Sequence, residues 1–571
     1  LAALILTPYD ASASRAELSS FPRRWIEAFN RGHDSFAGRY AGVVGTLVRR
    51  GSLVALVYLL LLGLTGAQFF AVPGGFIPDQ DRGYGIIALQ LPPGAELART
   101  EQALARAMDK ILAMDGVANA VGFSGFSGIT FTFAPNAATI FASFTPSKQR
   151  TEQGLRVDQL LAQVRKAMAA IDEAQVLVIQ PPPVRGIGNA SGFRMMIQDR
   201  HGRGLDTLES ASLDMVGAAN RLPDLSRVFT LFETSTPQLY VDIDRVRAEQ
   251  LGVPVERVFE ALEVYFGSTF VNDFNYLGRT FRVTAQADAD YRRSPRDMLS
   301  LRTRNRLGEA VPLGSIASAH FRTVPYRVER YNLYPAASVF GSSAPGAGSG
   351  EALAAMEALA AERLPEGLGF EWTDLAYQQK SAGNVNIAVF ILAVLFVFLV
   401  LAAQYESWLL PLAIVLNVPM CVLSAMFGLW LTGGDNNVLV QIGLIVLVGL
   451  AAKNAILIVE FARQNEISGN NRFDAAVNAA RLRLRPILMT SLAFIIGVVP
   501  LVLASGPGAE MRHALGVTVF SGMLGVTAFG LLFTPVFYVL CRRLEQRLSG
   551  DRLPEKPALP AEIAVDGNKQ D

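Results

Sequence analysis

Apolar residues follow two regimes along this chain. Near 52–72, 384–403, 409–431, 438–462, 486–505 and 514–541 they run on almost unbroken, over lengths that cross a ~30 Å hydrocarbon core as helix. In residues 73–380 they recur instead at the period of two or near four that marks half-buried strands and helices. The spacing there predicts strands at 84–91 (YGIIALQL), 117–123, 138–145 and 174–180, with helices at 96–114 and 155–170. That order is β-α-β-β-α-β, the split βαβ of ferredoxin-like units. A second such unit opens at "FRMMIQD" (193–199), continues through a helix at 205–221 and strands at 224–231 and 237–243, and resumes after 320.

The expected fold class is therefore a polytopic α-helical membrane protein with an α+β insertion of ferredoxin-like split-βαβ subdomains. Residues 51–72 form a first span. Residues 73–190 form one subdomain, 191–243 with 320–380 a second, and 244–319 an insert within the second. Residues 381–543 supply five further spans, and 544–571 are expected to be a disordered cytoplasmic tail. At the other end, "LAALILTP" (1–8) is too short to span a bilayer. It lacks the charged n-region of a signal peptide and reads as an N-terminal stub, the end of a truncated transmembrane helix. With Leu1 in place of methionine, a fragment is expected. Within 9–50, the stretch from 20 to 50 mixes apolar and basic positions at helical spacing, as a cytoplasmic interfacial helix would.

Charge sets the orientation. Arg23, Arg24, Arg49 and Arg50 precede the first span, Arg463, Arg472, Arg481, Arg483 and Arg485 separate the fourth and fifth, and Arg542, Arg543 and Arg547 follow the sixth. The opposite turns, "TGGDNN" (432–437) and "SGPGAE" (505–510), carry no Lys or Arg. Both ends are then cytoplasmic and the insertion is outside, which in a Gram-negative cell is the periplasm. Of the 571 residues, 51% are hydrophobic and 18% charged, and the net charge is +1. That balance favours a membrane protein and offers nothing to nucleic acid. Cys421 and Cys541 lie in apolar stretches, the histidines are scattered, and no GxxxxGK[ST] loop is present. No disulfide framework, metal site, cofactor or ATP dependence is expected.

One charge breaks the apolar pattern. Lys453, in "GLAAKNAILIVEFA" (449–462), lies ten residues before Arg463, roughly 15 Å into the span and too deep for its stem to snorkel out. A lysine there costs ~3 kcal/mol on insertion scales, so it calls for a function.

Several motifs together give that function a context: "FIPDQDRG" (76–83), "STPQLYVDIDRVRAEQLGV" (235–253), "VNDFNYLGRTFRV" (271–283), "AAQYESW" (402–408), "GLAAKNAILIVEFA" and "RLRLRPILMTSLAFI" (481–495). With one span, a large insertion and five spans, the chain resembles the C-terminal half of resistance-nodulation-division multidrug efflux pumps, in their hydrophobe/amphiphile branch. "QPPPVRGIGNASGFRMMI" (180–197) is most similar to the MexF-like subgroup. The resemblance implies a secondary transporter, not an enzyme, that exports hydrophobic and amphiphilic drugs in exchange for protons. It would sit in the inner membrane as a homotrimer, with a periplasmic adaptor and an outer-membrane channel, the insert at 244–319 serving as the docking part.

For Lys453 the resemblance implies a place in a proton relay, facing paired aspartates of the N-terminal half. Asn454 would be a hydrogen-bonding member, and Arg483 and Thr490, two turns apart on one helix face, would lie on the proton path. From the residues alone, Arg483 could equally be a positive-inside anchor, and Thr490 could bond a carbonyl of its own helix. No predicted span contains an aspartate, so the proton acceptor would come from the missing half.

The segment 121–144 sets six phenylalanines among Gly, Ser and Thr, a composition suited to indiscriminate apolar contact. The resemblance implies a flexible loop here between two drug pockets, carrying Phe123 and Phe126, followed by a strand with Phe141. Phe131 and Phe133 lie in a stretch that looks longer than in similar pumps, and Phe131, Phe133 and Phe141 could instead be sheet core. At 177–181, Leu177 and Ile179 stand where several similar pumps place phenylalanines in the outer pocket. Arg185 faces either that channel or solvent. Met195 and Met196 would point to opposite faces of a strand, which favours core over a copper site. Two other classes stay open: an exporter of metal ions or lipids on the same fold, and a truncated fragment that transports nothing.

Overall fold

The computed structural model describes residues 20–383 and 385–549. The stub at 1–8 and the chain beyond 549 lie outside the described residues.

A long helix, α1 (Ser20–Arg49), leads almost directly into α2 (Gly51–Ala71). Its Ala37, Tyr40, Val44 and Val48 are buried in one core with Ala476, Ala479 and Ala480 of a later span. Tyr40 Oη donates to the Leu531 carbonyl at 2.7 Å. The expected interfacial helix is thus packed along the bundle on one face.

The first α/β unit contains β1 (Tyr84–Gln90), α3 (Leu97–Leu112), β2 (Val117–Ser127), β3 (Thr132–Phe144), α4 (Val157–Met168) and β4 (Gln175–Ile179). Its strands are ordered β2-β3-β1-β4, and every neighbouring pair is antiparallel. The register sets Ile87 opposite Ile140 and Leu89 opposite Ala138. Alternation sends these side chains to one face, where they form a core with Leu104, Ile111, Leu161 and Val164 of the two helices. The other face carries Phe123 and Phe141.

The second unit contains β5 (Phe193–Asp199), α5 (Leu205–Ala219), β6 (Leu225–Thr230), then β7 (Thr236–Ile243) and β8 (Ala317–Val324), followed by β9 (Tyr334–Ser343), α6 (Ser349–Arg363) and β10 (Leu368–Thr373). Here the strands run β6-β9-β5-β10, again antiparallel throughout. The expectation that 237–243 joins this sheet is corrected: β7 pairs with β8 in a separate two-stranded ribbon, Thr236 opposite Val324 and Ile243 opposite Ala317. The ribbon's side chains are largely exposed on both faces, so it makes an arm rather than a core layer. Met195 is buried in the core beside Trp372, and Met196, buried on the opposite face, accepts a contact from Ser338 Oγ at 3.3 Å.

Six helices among the described residues are long and apolar enough to cross a membrane. Among them are α7 (Val385–Tyr405), α8 (Val438–Ile467), α9 (Arg472–Val502) and α10 (Ala509–Ser549). The span expected at 409–431 is one apolar stretch, Leu409–Thr432, long enough to cross a membrane, interrupted at 416–417 between Leu409–Val415 and Val418–Thr432. Pro419 has no amide hydrogen for a continuous ladder, and the side-chain Nδ2 of the buried Asn417 donates back to the carbonyls of Ala413 (3.3 Å) and Ile414 (3.2 Å). The chain at 544–549, expected to be disordered, continues α10 as helix. Glu545 anchors it, pairing with Arg542 at 2.5 Å and accepting from Ser407 Oγ at 3.1 Å.

A backbone clasp seats the α/β units on the bundle. Asn436 N donates to Pro73 O at 2.8 Å, Val438 N to Phe76 O at 3.1 Å, and Gly350 N to Gly74 O at 3.1 Å. The turn that starts α8 and the start of α6 thereby grip one linker, which then runs on to the buried Asp81–Arg150 ion pair, 2.5 Å long.

Candidate functional site

Lys453 sits midway along α8. Ile442, Val446, Gly449 and Lys453 recur at steps of four, three and four, and all are exposed, which marks one uncovered stripe of the helix. Among the described residues Lys453 forms no ion pair and no hydrogen bond. Asn454, one residue on, turns the other way into the bundle, where its Nδ2 donates to Ser491 Oγ of α9 at 3.1 Å. Both residues are buried.

Arg483 and Thr490 are not gathered around Lys453. The Arg483 guanidinium lies over the Phe461 ring of α8, 3.1 Å from its centroid, a cation–π contact, and its Nε is buried without a hydrogen-bond partner. With α8 and α9 side by side, the Asn454–Ser491 contact and the Phe461–Arg483 contact are two levels of one interface. They are separated by roughly 11 Å at about 1.5 Å per residue. Thr490 bonds the Ile487 carbonyl of its own helix at 3.2 Å. No motif marks Ser491, although its phase with Leu484 and Ile487 places it on the buried face of α9.

The phenylalanines form one patch. Phe123 and Phe126, expected on a flexible loop, lie on β2, which with β3 makes a hairpin turning through 128–131. The hairpin is tied inside: Gly128 N donates to Thr139 Oγ1 at 2.7 Å, and that hydroxyl donates to Phe126 O at 2.9 Å. These bonds order a stretch whose glycines and serines suggest mobility. Rings meet edge-on from Phe141 to Phe123 (5.9 Å), Phe123 to Phe126 (6.3 Å) and Phe126 to Phe131 (5.7 Å), with Phe133 at 5.6 Å from Phe126. Phe131 and Phe133 are 58% and 77% exposed, so the sheet-core alternative fails for both. Phe131 has φ +53, a sparsely populated conformation that turns the tip.

The tip lies between the two α/β units. Ile129 is buried with Ala88 of the first and Phe340 of the second. Asn189 Nδ2 donates to Ile129 O at 3.1 Å, and Tyr326 Oη to Phe133 O at 2.8 Å. Two clefts between the units contain four of the predicted residues, Phe131, Phe141, Leu177 and Ile179, whereas Phe123, Phe126 and Phe133 line neither. One, about 420 Å³, is lined by Phe131, Phe141, Arg185, Arg194 and Asp374. The other, about 230 Å³, is floored by Leu177 and Ile179 together with Phe229 and Phe340, whose rings stack 5.3 Å apart. Burial raises the Asp374 carboxyl, while the Arg194 guanidinium, 3.8 Å away, opposes that shift. Phe229 and Phe340 come from strands remote in sequence, and nothing local marked them.

Comparison with known proteins fits this architecture. The profile of the AcrB/AcrD/AcrF family matches residues 1–542. The chain belongs to that family of resistance-nodulation-division transporters. It is 37% identical over 537 residues to the toluene efflux pump membrane transporter TtgB of Pseudomonas putida, an alignment covering 93% of this chain and 50% of TtgB. It is 35% identical over 557 residues to the multidrug export protein AcrF of Escherichia coli, covering 95% and 53%. It is likewise 35% identical to the multidrug resistance protein MdtF of Escherichia coli, covering 92% and 51%. The chain spans about half the length of the curated relatives it matches.

Proposed function

We propose that this AcrB/AcrD/AcrF-family chain is the C-terminal half of a proton-driven exporter of hydrophobic and amphiphilic compounds, resident in a Gram-negative inner membrane. The observation that carries the reading is Lys453: a cation at mid-span, on an uncovered helix stripe, with no counter-charge among the described residues. An ionised lysine facing lipid is costly, whereas one facing a carboxylate pair holds at least one acid ionised until a proton displaces it. The reading therefore places a second half, bearing paired aspartates, against the Ile442–Lys453 stripe. Asn454 holds the helix register beside the lysine, Arg483 guards the end nearer Arg463, and Thr490 hands protons inward.

Cargo binds between the α/β units, which we read as ferredoxin-like porter subdomains in the periplasm. Phe123, Phe126, Phe131, Phe133 and Phe141 supply one apolar wall, and Leu177 and Ile179 supply the floor of the second cleft. The assembly works as a trimer with a periplasmic adaptor and an outer-membrane channel, reached through the insert at 244–319. TtgB and AcrF are named as a toluene and a multidrug transporter, which supports broad apolar cargo. The test is drug extrusion by cells in which this chain is joined to its other half. Extrusion that collapses the proton gradient supports the reading. Assembly with a second half carrying paired acids, yet no extrusion, sinks it in favour of a non-transporting role.

A further inference from the structure

The smaller cleft carries a charge arrangement that cargo hydrophobicity does not explain. Arg165 enters it from α4 of the first unit and Arg227 from β6 of the second, across a floor of Leu177, Ile179, Phe229 and Phe340. One carboxylate, Asp79, lines the same cleft, and it already accepts a hydrogen bond from Ser191. Two cations against one anion leave the cleft net positive.

Arg227 attracts the Asp79 carboxyl across the cleft, but among the described residues neither arginine forms a direct ion pair with a carboxylate. Among the described residues the Arg165 side chain has no hydrogen bond or ion pair, and its Nε is buried without a partner. Burial, and after it the like charge of Arg227, hold its guanidinium below the usual arginine range, with Asp158 opposing from a distance. Asp158 is itself highly exposed and lies 3.9 Å from Arg156. Arg227 donates to Ser342 Oγ at 3.0 Å, a neutral partner. Its backbone sits at φ +55, a conformation that costs energy in any residue with a Cβ and persists where the surroundings require it. Like charges held from opposite walls over an apolar floor describe a receptor for a negative group with a greasy body.

We infer that this cleft takes anionic amphiphiles, the acidic head lying between Arg165 and Arg227 and the apolar tail on Leu177, Ile179, Phe229 and Phe340. This rests on the reading that cargo binds between the two α/β units, and it narrows that cargo to a charge class. A carboxylate or sulfonate of single-chain cargo and the phosphate of an anionic lipid share the recognised chemistry.

The test uses the full chain in phosphatidylcholine nanodiscs. Equilibrium dialysis compares three probes with the same twelve-carbon tail: dodecanesulfonate, dodecyltrimethylammonium and a neutral dodecyl glycoside. Binding of the sulfonate at least about tenfold tighter than the ammonium probe, weakening as salt rises, is expected. The preference should fall to within about twofold in Arg165→Gln/Arg227→Gln and be retained in Arg165→Lys, which keeps the charge. Arg227 is exposed, so Arg227→Gln alone provides a variant that folds. A sulfonate preference that survives the double substitution overturns the inference. Equal binding of all three probes also overturns it but leaves the cargo reading standing, whereas no binding of any probe counts against both. Displacement of the sulfonate by phosphatidylglycerol, but not by free laurate, would identify lipid as the source of the anion.

Discussion

Asn454 and Ser491 join two membrane helices through one buried hydrogen bond, 3.1 Å from Nδ2 to Oγ. It is placed one residue from the unpaired Lys453, so it fixes which face of α8 the lysine occupies. Ser491→Ala would leave the Asn454 amide without a protein partner, at a cost of about 1–3 kcal/mol. A double-substitution cycle with Asn454→Ala, followed by thermal unfolding in detergent, should return a coupling of at least about 0.5 kcal/mol. Strict additivity would show that the bond does not hold the helices together.

The hairpin tip is the second joint. Ile129 is its only buried apolar anchor among the residues of the 128–131 turn, and Ile129→Ala should cost about 2 kcal/mol of local stability. Hydrogen exchange across 123–133 should then quicken by at least about tenfold, while exchange in β5 stays unchanged. Phe126 meets Phe123, Phe131 and Phe133. Phe126→Ala should weaken the binding of neutral apolar cargo by roughly tenfold, and undiminished affinity would remove this patch from the cargo path.

Asp199 supports the turn from β5 into α5. Burial alone would raise its carboxyl, but amide donors from Arg203 (2.9 Å), Gly204 (3.0 Å) and His201 (3.3 Å) outweigh that and hold it below the ordinary value of 3.8. A lowered folded-state value means the contribution is complete above 3.8 and is lost as pH falls through the folded-state value. Asp199→Asn should therefore destabilise the protein by about 1–3 kcal/mol at pH 7, and the gap to wild type should close in acid. Melting curves between neutral pH and pH 3 check both the size and the direction.

What the sequence shows and hides follows from how far apart the partners lie. Lys453 is legible because a charge inside an unbroken apolar run has no local structural explanation. The strands of the first unit are legible because Ile87, Leu89, Ile140 and Ala142 alternate within short segments. The pairing of β7 with β8 is not, since Thr236 and Val324 lie on either side of the insert and no local pattern links them. Phe123 and Phe126 look like loop residues because glycine and serine flank them, and the Thr139 hydroxyl that orders them comes from the opposite strand. Arg165 and Arg227 look like two solvated charges until the two units bring them to one cleft.

The central claim is that Lys453 is the counter-charge of a proton relay, and one substitution tests it most directly. Energy-dependent drug extrusion should be measured in cells carrying the complete pump with Lys453→Ala, alongside the amount of protein in the membrane. The account predicts that extrusion falls to the level of cells without the pump while membrane insertion is unchanged. Extrusion at the wild-type rate would contradict it.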